Sequence, residues 1–157
     1  MGEILFVADL HLDADRPETI GAFHEFLESR VPGASALYIL GDFLDAWIGD
    51  DAPLSPELAD MLAALRELSD GGLPIHFMHG IRDFLIGRQF AERWGLTLLD
   101  DPTVIKIHGQ PVMLTHGDLL CTDDTAYQQF RAMVRDPRWQ ADFLAKPLEE
   151  RQAIAQE

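Results

Sequence analysis

Cysteine is all but absent from this sequence. Cys121 is the only one, so no intrachain disulfide can staple the fold, and a reducing compartment fits. Basic residues are also few: 12 Lys and Arg face 27 Asp and Glu, for a formal net charge of −15. So acidic a chain lacks the positive footprint that nonspecific nucleic-acid binding needs. It also disfavours phosphate substrates, unless a cluster of divalent cations inverts the local field. No apolar run approaches the ~20 residues of a membrane-spanning helix. The N-terminus enters an apolar run directly, without the basic segment and small-residue cleavage site of a secretory signal. The expectation at this level is a cytoplasmic protein that binds no nucleic acid. Repeats, low-complexity tracts and linkers are missing as well. The 157 residues, 47% of them hydrophobic, fit one domain with a substantial core.

What is present is an alternation of apolar runs and amphipathic stretches. Ile4 to Ala8 reads as a buried strand. Pro17 to Ser29 reads as a helix, with Ile20, Phe23 and Leu27 at helical spacing. Pro32-Gly33 breaks it before a second strand, Leu37 to Leu40. Ser55 and Pro56 open the next helix as N-cap and first-turn proline. Leu58, Leu62, Leu65 and Leu68 form its stripe, and Gly71-Gly72 stops it. A third strand, Ile75 to Met78, precedes a short helix from Ile86 to Trp94 that Gly95 ends. Leu96 to Leu99, Val104 to Ile107 and Pro111 to Thr115 read as strands, the last two joined by a turn at His108-Gly109-Gln110.

Beyond Thr122 the pattern turns helical. Thr122 or Asp123 caps a helix carrying Tyr127, Phe130, Met133 and Val134. Pro137 starts one with Trp139, Phe143 and Leu144, and Pro147 starts one with Leu148 and Ile154. That last helix has no Gly or Asn cap and ends on the acid Glu157, which reads as a chain cut inside a helix. The order β-α-β-α-β-α followed by strands is that of an α/β domain whose sheet starts parallel. Such sheets bind ligands beyond the carboxyl ends of their strands.

The polar chemistry gathers at those ends. The first run stops at Asp9 and His11, the second at Gly41-Asp42, the third at His79-Gly80-Ile81-Arg82-Asp83, and the run at Val112 to Leu114 at His116-Gly117-Asp118. In extended backbone Asp9 and His11 would point the same way and grip one ion. Asp9, His11, Asp42 and His116 give mixed oxygen and nitrogen ligation, suited to a first-row divalent ion such as Mn²⁺, Fe²⁺ or Zn²⁺. Two such ions ~3.5–4 Å apart clamp a phosphoryl group and activate water. The guanidinium fork of Arg82 matches phosphate oxygens, with a surface salt bridge as its plainer role. His79 reads as a buried histidine orienting its loop. Asp83 reads as a partner of Arg82 or a cap of the Ile86 helix. His24, His76 and His108 read as structural, Asp50-Asp51 as a solvated loop, and Asp123-Asp124 as helix capping.

These clusters resemble the calcineurin-type metallophosphoesterase family, whose pattern runs Asp-x-His, Gly-Asp, Gly-Asn-His/Arg-Asp/Glu, His and a late Gly-His-x-His. The stretches Tyr38 to Asp42, Ala46 to Asp51, Arg82 to Gly87 and His116 to Asp118 with Leu120 to Asp124 resemble its UDP-2,3-diacylglucosamine hydrolase branch, from residue 2 to residue 157. The resemblance implies an α/β metallophosphoesterase-type sandwich of two sheets flanked by helices. Residues 1–121 would be the N-terminal portion of the core, and residues 122–157 the start of a helical lid over the acyl chains. It implies two Mn²⁺ ions, with Asp9 and His11 on the first, Asp42 bridging and His116 on the second. These same four residues would form the catalytic centre, with Arg82 and Asp124 contacting substrate. The reaction implied is hydrolysis of the UDP-2,3-diacylglucosamine pyrophosphate to UMP and 2,3-diacylglucosamine 1-phosphate, a step of lipid A biosynthesis. The implied location is cytoplasmic, peripheral on the inner-membrane lipid surface.

Two departures matter. Ile81 stands where the family has Asn, and supplies neither an oxygen to the second ion nor an N–H to phosphate. The late Gly-His-x-His ligands are absent from the 157 residues. Both predict a weakened second ion site and low turnover. Two rival readings are another phosphoesterase acting on nucleotides or phosphodiesters, and a non-catalytic scaffold of the same fold. A doubly wound nucleotide-binding protein is excluded for want of a Gly-rich loop after the first strand.

Overall fold

The computed structural model describes residues 2–155. Four strands, β1 (Ile4–Val7), β2 (Ala36–Leu40), β3 (Ile75–Met78) and β4 (Thr97–Leu99), form one parallel sheet in the order of the chain. Between them run α1 (Pro17–Ser29), α2 (Pro56–Asp70) and α3 (Arg88–Trp94). Right-handed crossovers that step always in one direction leave all three helices on one face. The packing agrees. Ile20, Phe23 and Leu27 of α1, Met61, Leu62 and Leu65 of α2, and Phe90 and Trp94 of α3 share one core with Leu37, Ile39, Ile75 and Phe77. The stripe expected of α2 is shifted. Met61 joins Leu62 and Leu65 at full burial, while Leu58 and Leu68 only flank the core.

The period of two in β2 sends Ala36, Tyr38 and Leu40 to the opposite face. There they meet a second, antiparallel sheet of β5 (Thr103–Ile107) and β6 (Gln110–Leu114), through Ile105, Val112 and Leu114. The two-sheet sandwich expected from the sequence is therefore present, with helices outside one layer. The hairpin turn is only His108-Gly109, because Gln110 already pairs with Ile107. Both turn residues have positive φ, 49° and 80°, as a tight hairpin of this hand requires.

The chain continues through α4 (Thr125–Val134), α5 (Pro137–Leu144) and α6 (Leu148–Ala155). The cap of α4 is Asp124, within the Asp123-Asp124 pair read as helix capping and not Thr122 or Asp123, accepting from the Tyr127 N–H at 3.0 Å. Trp139 and Phe143 stack at 5.1 Å, and Phe143 enters the main core. Glu157, the acid that was expected to end the last helix, lies outside the described residues.

Of the Asp50-Asp51 pair, Asp51 is exposed as a solvated loop predicts, but Asp50 is engaged by the protein. Asp50 accepts from the Trp47 indole and from the N–H groups of Gly87 and Phe90. It thereby caps α3 from a distant loop, which is why α3 starts at Arg88 rather than Ile86 and has no side-chain cap of its own. Asp51 pairs with Arg151, whose side chain is buried and also donates to the Ile48 carbonyl at 2.7 Å. That contact fastens α6 to the loop after β2.

Candidate metal centre

Beyond the strand ends, the backbone does not continue extended. Asp9, His11 and Asp42 have φ of 55°, 46° and 50°, in the left-handed region that non-glycine residues seldom occupy. Alternation along a strand therefore does not bring Asp9 and His11 together. What does is a ladder between two loops: Asp9 N–H to the Gly41 carbonyl, His11 N–H to that of Asp42 and Leu12 N–H to that of Phe43, at 3.0, 2.9 and 2.9 Å. Outliers of this kind cluster where function demands a particular side-chain direction.

Asp42 stands at the centre, 4% exposed. Its Oδ1 accepts from the N–H groups of Ile81 and Arg82, at 2.6 and 2.8 Å. Its Oδ2 faces two imidazoles, 3.8 Å from His11 Nε2 and 3.6 Å from His116 Nε2. Donor atoms of Asp9, Asp42 and His116 all lie within 4.8 Å of one another. His11 Nε2 is 4.0 Å from Asp9 Oδ1, so the fourth expected residue borders the same space. Two oxygen and two nitrogen donors converge, and that donor set suits a first-row divalent cation.

Each imidazole is held by its other nitrogen. His116 Nδ1 lies 2.7 Å from the Leu40 carbonyl, which leaves Nε2 toward Asp42. His11 Nδ1 lies 3.3 Å from Asp45. The Asp42 carboxylate raises the His116 pKa to about 9, against the opposing effect of burial. Burial pushes the Asp42 carboxyl up, but His116 and the N–H groups of Arg82 and Ile81 outweigh it and leave it below the ordinary value. These shifts mark a place where positive charge is wanted.

The turn after β3 supports this arrangement. Asp83 neither pairs with Arg82 nor caps a helix with its side chain. It is fully buried and accepts from the N–H groups of Gly80, Phe43, Asp42 and Leu44. Burial raises its pKa, and the N–H donors oppose that. Gly80 is required by proximity, since a Cβ there would overlap the Asp42 carboxylate and backbone nitrogen. His79 plays the loop-orienting role expected of it, half-buried with Nε2 2.6 Å from the Ile86 carbonyl. Ile81 keeps its N–H on Asp42 while its side chain is 38% exposed. Arg82 is exposed and enters no ion pair among the described residues.

A second buried network escaped sequence reading. Arg131 on α4 bridges Asp101 at 2.9 Å and Asp118 at 2.8 Å. Asp101 in turn accepts from the Thr115 hydroxyl and the His116 N–H. Tyr127 donates to Asp118, whose Oδ1 is buried without a partner among the described residues. This chain ties α4 to the loop that carries His116. Asp101 and Arg131 are 30 residues apart, and no local spacing links them.

No family model matches the chain. Curated relatives do. A UDP-2,3-diacylglucosamine hydrolase of Stenotrophomonas maltophilia (strain K279a) is 57% identical over 152 residues, covering 97% of this chain and 61% of the relative. One of Xanthomonas axonopodis pv. citri (strain 306), under the same name, is 56% identical over 154 residues, covering 98% and 62%. Among solved structures the likeness is looser. The Pseudomonas putida nuclease MPE gives a TM-score of 0.49 at 25% identity, over 64% of this chain and 49% of that one. The chain spans about three-fifths of the length of the curated relatives it matches, and along nearly all of its own length it is related to UDP-2,3-diacylglucosamine hydrolases.

Proposed function

We propose that this chain supplies the Asp9, His11, Asp42 and His116 side of a metal-dependent hydrolase site whose substrate is UDP-2,3-diacylglucosamine. The observation that carries the reading is the position of Asp42 Oδ2 between the Nε2 atoms of His11 and His116, with Asp9 beside them. The relatives' shared name supplies the substrate. Asp9 and His11 would hold one ion and His116 a second, with the Asp42 carboxylate, held by the backbone N–H groups of Ile81 and Arg82, serving both. Mn²⁺ suits these donors. Bound there, a divalent ion supplies positive charge to draw in the pyrophosphate and acidify water for attack on phosphorus.

The protein's own groups do the rest. Asp83 and the amides of Ile81 and Arg82 fix the Asp42 carboxylate. Arg82, exposed at the rim, would clamp the phosphate next to uridine, and Asp124, at the head of α4, would meet the sugar. UMP would leave from that side and 2,3-diacylglucosamine 1-phosphate from the other. Residues 122–157 would form the beginning of the lid. The exposed Phe130 and Met133 of α4 suit acyl chains and a peripheral place on the inner-membrane surface. No helix among the described residues is long and apolar enough to cross a membrane.

The test is Mn²⁺ calorimetry on the purified chain, with UMP release from UDP-2,3-diacylglucosamine followed by ³¹P NMR. Saturable Mn²⁺ binding lost in Asp42→Ala, tighter binding in Ile81→Asn, and slow UMP release raised by that same variant are expected. Absence of saturable binding overturns the metal reading. Cleavage of a simple phosphodiester with no UMP release overturns the substrate.

A further inference from the structure

Resting on that reading of the cleft, we propose that Asp45 is a positioning residue for His11, fixing its tautomer and direction, with Arg16 holding Asp45 in turn. His11 sits at the turn where φ is 46°, with its side chain 30% exposed, so packing alone does not lock the ring. The two nitrogens face different partners. Nε2 looks into the cleft, 3.8 Å from Asp42 and 4.0 Å from Asp9. Nδ1 looks the other way, 3.3 Å from Asp45 Oδ1. The Arg16 guanidinium lies 3.1 Å from that same oxygen and donates to the His11 backbone carbonyl at 2.6 Å. The Asp45 N–H donates to the Leu12 carbonyl, so the carboxylate rides on a loop already tied to the His11 loop.

This is the chemistry a ligating histidine requires. A carboxylate at Nδ1 favours the proton there, leaves the Nε2 lone pair for a cation and stops the ring from turning. Neutral imidazole left to itself favours the proton on Nε2, the wrong tautomer for this cleft. His116 obtains the same result from the Leu40 carbonyl. His11, more exposed, obtains it from a charged group that a guanidinium holds in place.

The experiment compares Asp45→Ala and Asp45→Asn with the parent chain. Long-range ¹H–¹⁵N NMR of the metal-free protein at alkaline pH reads the His11 tautomer, assigned by its loss in His11→Gln. Calorimetry with Mn²⁺ reads affinity. The parent should show the proton on Nδ1. Asp45→Ala should move it to Nε2 and weaken Mn²⁺ binding roughly 10–100-fold, at unchanged thermal unfolding. Asp45→Asn, whose carbonyl oxygen can take the place of the Asp45 oxygen beside Nδ1, should restore the tautomer and most of the affinity. An unchanged tautomer in Asp45→Ala overturns the proposal, as does Mn²⁺ affinity within about twofold of the parent. If the parent binds no Mn²⁺, the metal reading fails by itself, and the tautomer still decides the role of Asp45.

Discussion

Replacing Asp83 by Asn changes one atom and should cost more than most core truncations of that size. The carboxylate is fully buried. Its Oδ1 accepts from Gly80 and Asp42 at 2.8 and 3.3 Å, and its Oδ2 from Phe43 and Leu44 at 2.7 and 3.5 Å. Asn has one acceptor oxygen. Whichever way the amide turns, an NH₂ group meets one strong N–H donor and one weaker one. A buried donor left unsatisfied costs about 1–3 kcal/mol. Counting the strong bond in full and the longer one in part gives about 2–4 kcal/mol. Against a total stability of roughly 5–15 kcal/mol, that is easily read. Urea unfolding should show a lower midpoint at unchanged slope, because the surface exposed on unfolding is the same. The variant should also bind Mn²⁺ more weakly, since Asp83 is the bolt between the Asp42 loop and the turn whose amides hold Asp42. A loss below about 0.5 kcal/mol, within the range of an ordinary surface change, would refute the idea that four amides depend on this carboxylate.

Gly80→Ala places a methyl into the Asp42 carboxylate, so it should destabilise by about 1–3 kcal/mol and weaken Mn²⁺ binding; calorimetry matching the parent would contradict the overlap. Burial pushes the Asp118 carboxyl up, but Tyr127 and Arg131 outweigh it and leave its folded pKa below the ordinary value. Its contribution is therefore present above the unfolded aspartate pKa of ~3.9 and is lost as pH falls through the depressed folded value. Thermal unfolding against pH should show Asp118→Asn less stable than the parent near neutrality, with the gap closing in acid. Arg151→Met should speed amide exchange in α6 and leave the central sheet protected. Its partner Asp51 is 59% exposed on its side chain, so no buried charge is orphaned. Equal protection in α6 would show that helix packing, not the ion pair, holds it.

The parallel sheet and its helices were legible because their signals are local. Apolar runs of strand length alternate with stripes at helical spacing, and Pro and Gly punctuate them. Ser55, Pro56 and Gly95 fall where capping logic puts them. The acids were harder to read, for a reason the structure makes plain. Asp50, Asp83 and Asp101 each accept N–H groups from elsewhere in the chain, up to 41 residues away. An acid that caps its own helix has a partner three residues on and can be inferred. One that caps another element looks the same in sequence as one facing water. In a chain of net charge −15, facing water is the natural assumption, and it failed for Asp50, while for Asp83 the expected local partner, Arg82 or the Ile86 helix, gave way to distant amides.

Asp9 and His11 were paired for a reason that was only half right. Alternation in an extended strand was the stated cause, yet β1 ends at Val7 and the side chains are aimed by left-handed turns at Asp9, His11 and Asp42. The error was survivable because Asp and His are among the few residues that enter that region with any frequency. The same residue types thus satisfy the backbone and supply the donor atoms. Each such turn costs on the order of 1–3 kcal/mol. Gly41, at φ 92°, shows glycine used where no donor group is needed and a Cβ would overlap His116 and Gly80. At the three neighbouring turns glycine would relieve the backbone but remove a carboxylate or an imidazole. The strain persists because the ladder from Asp9 to Phe43 holds it and because the side chains it aims converge on one point. In this fold the departure from regular geometry and the convergence of these donor groups have one cause.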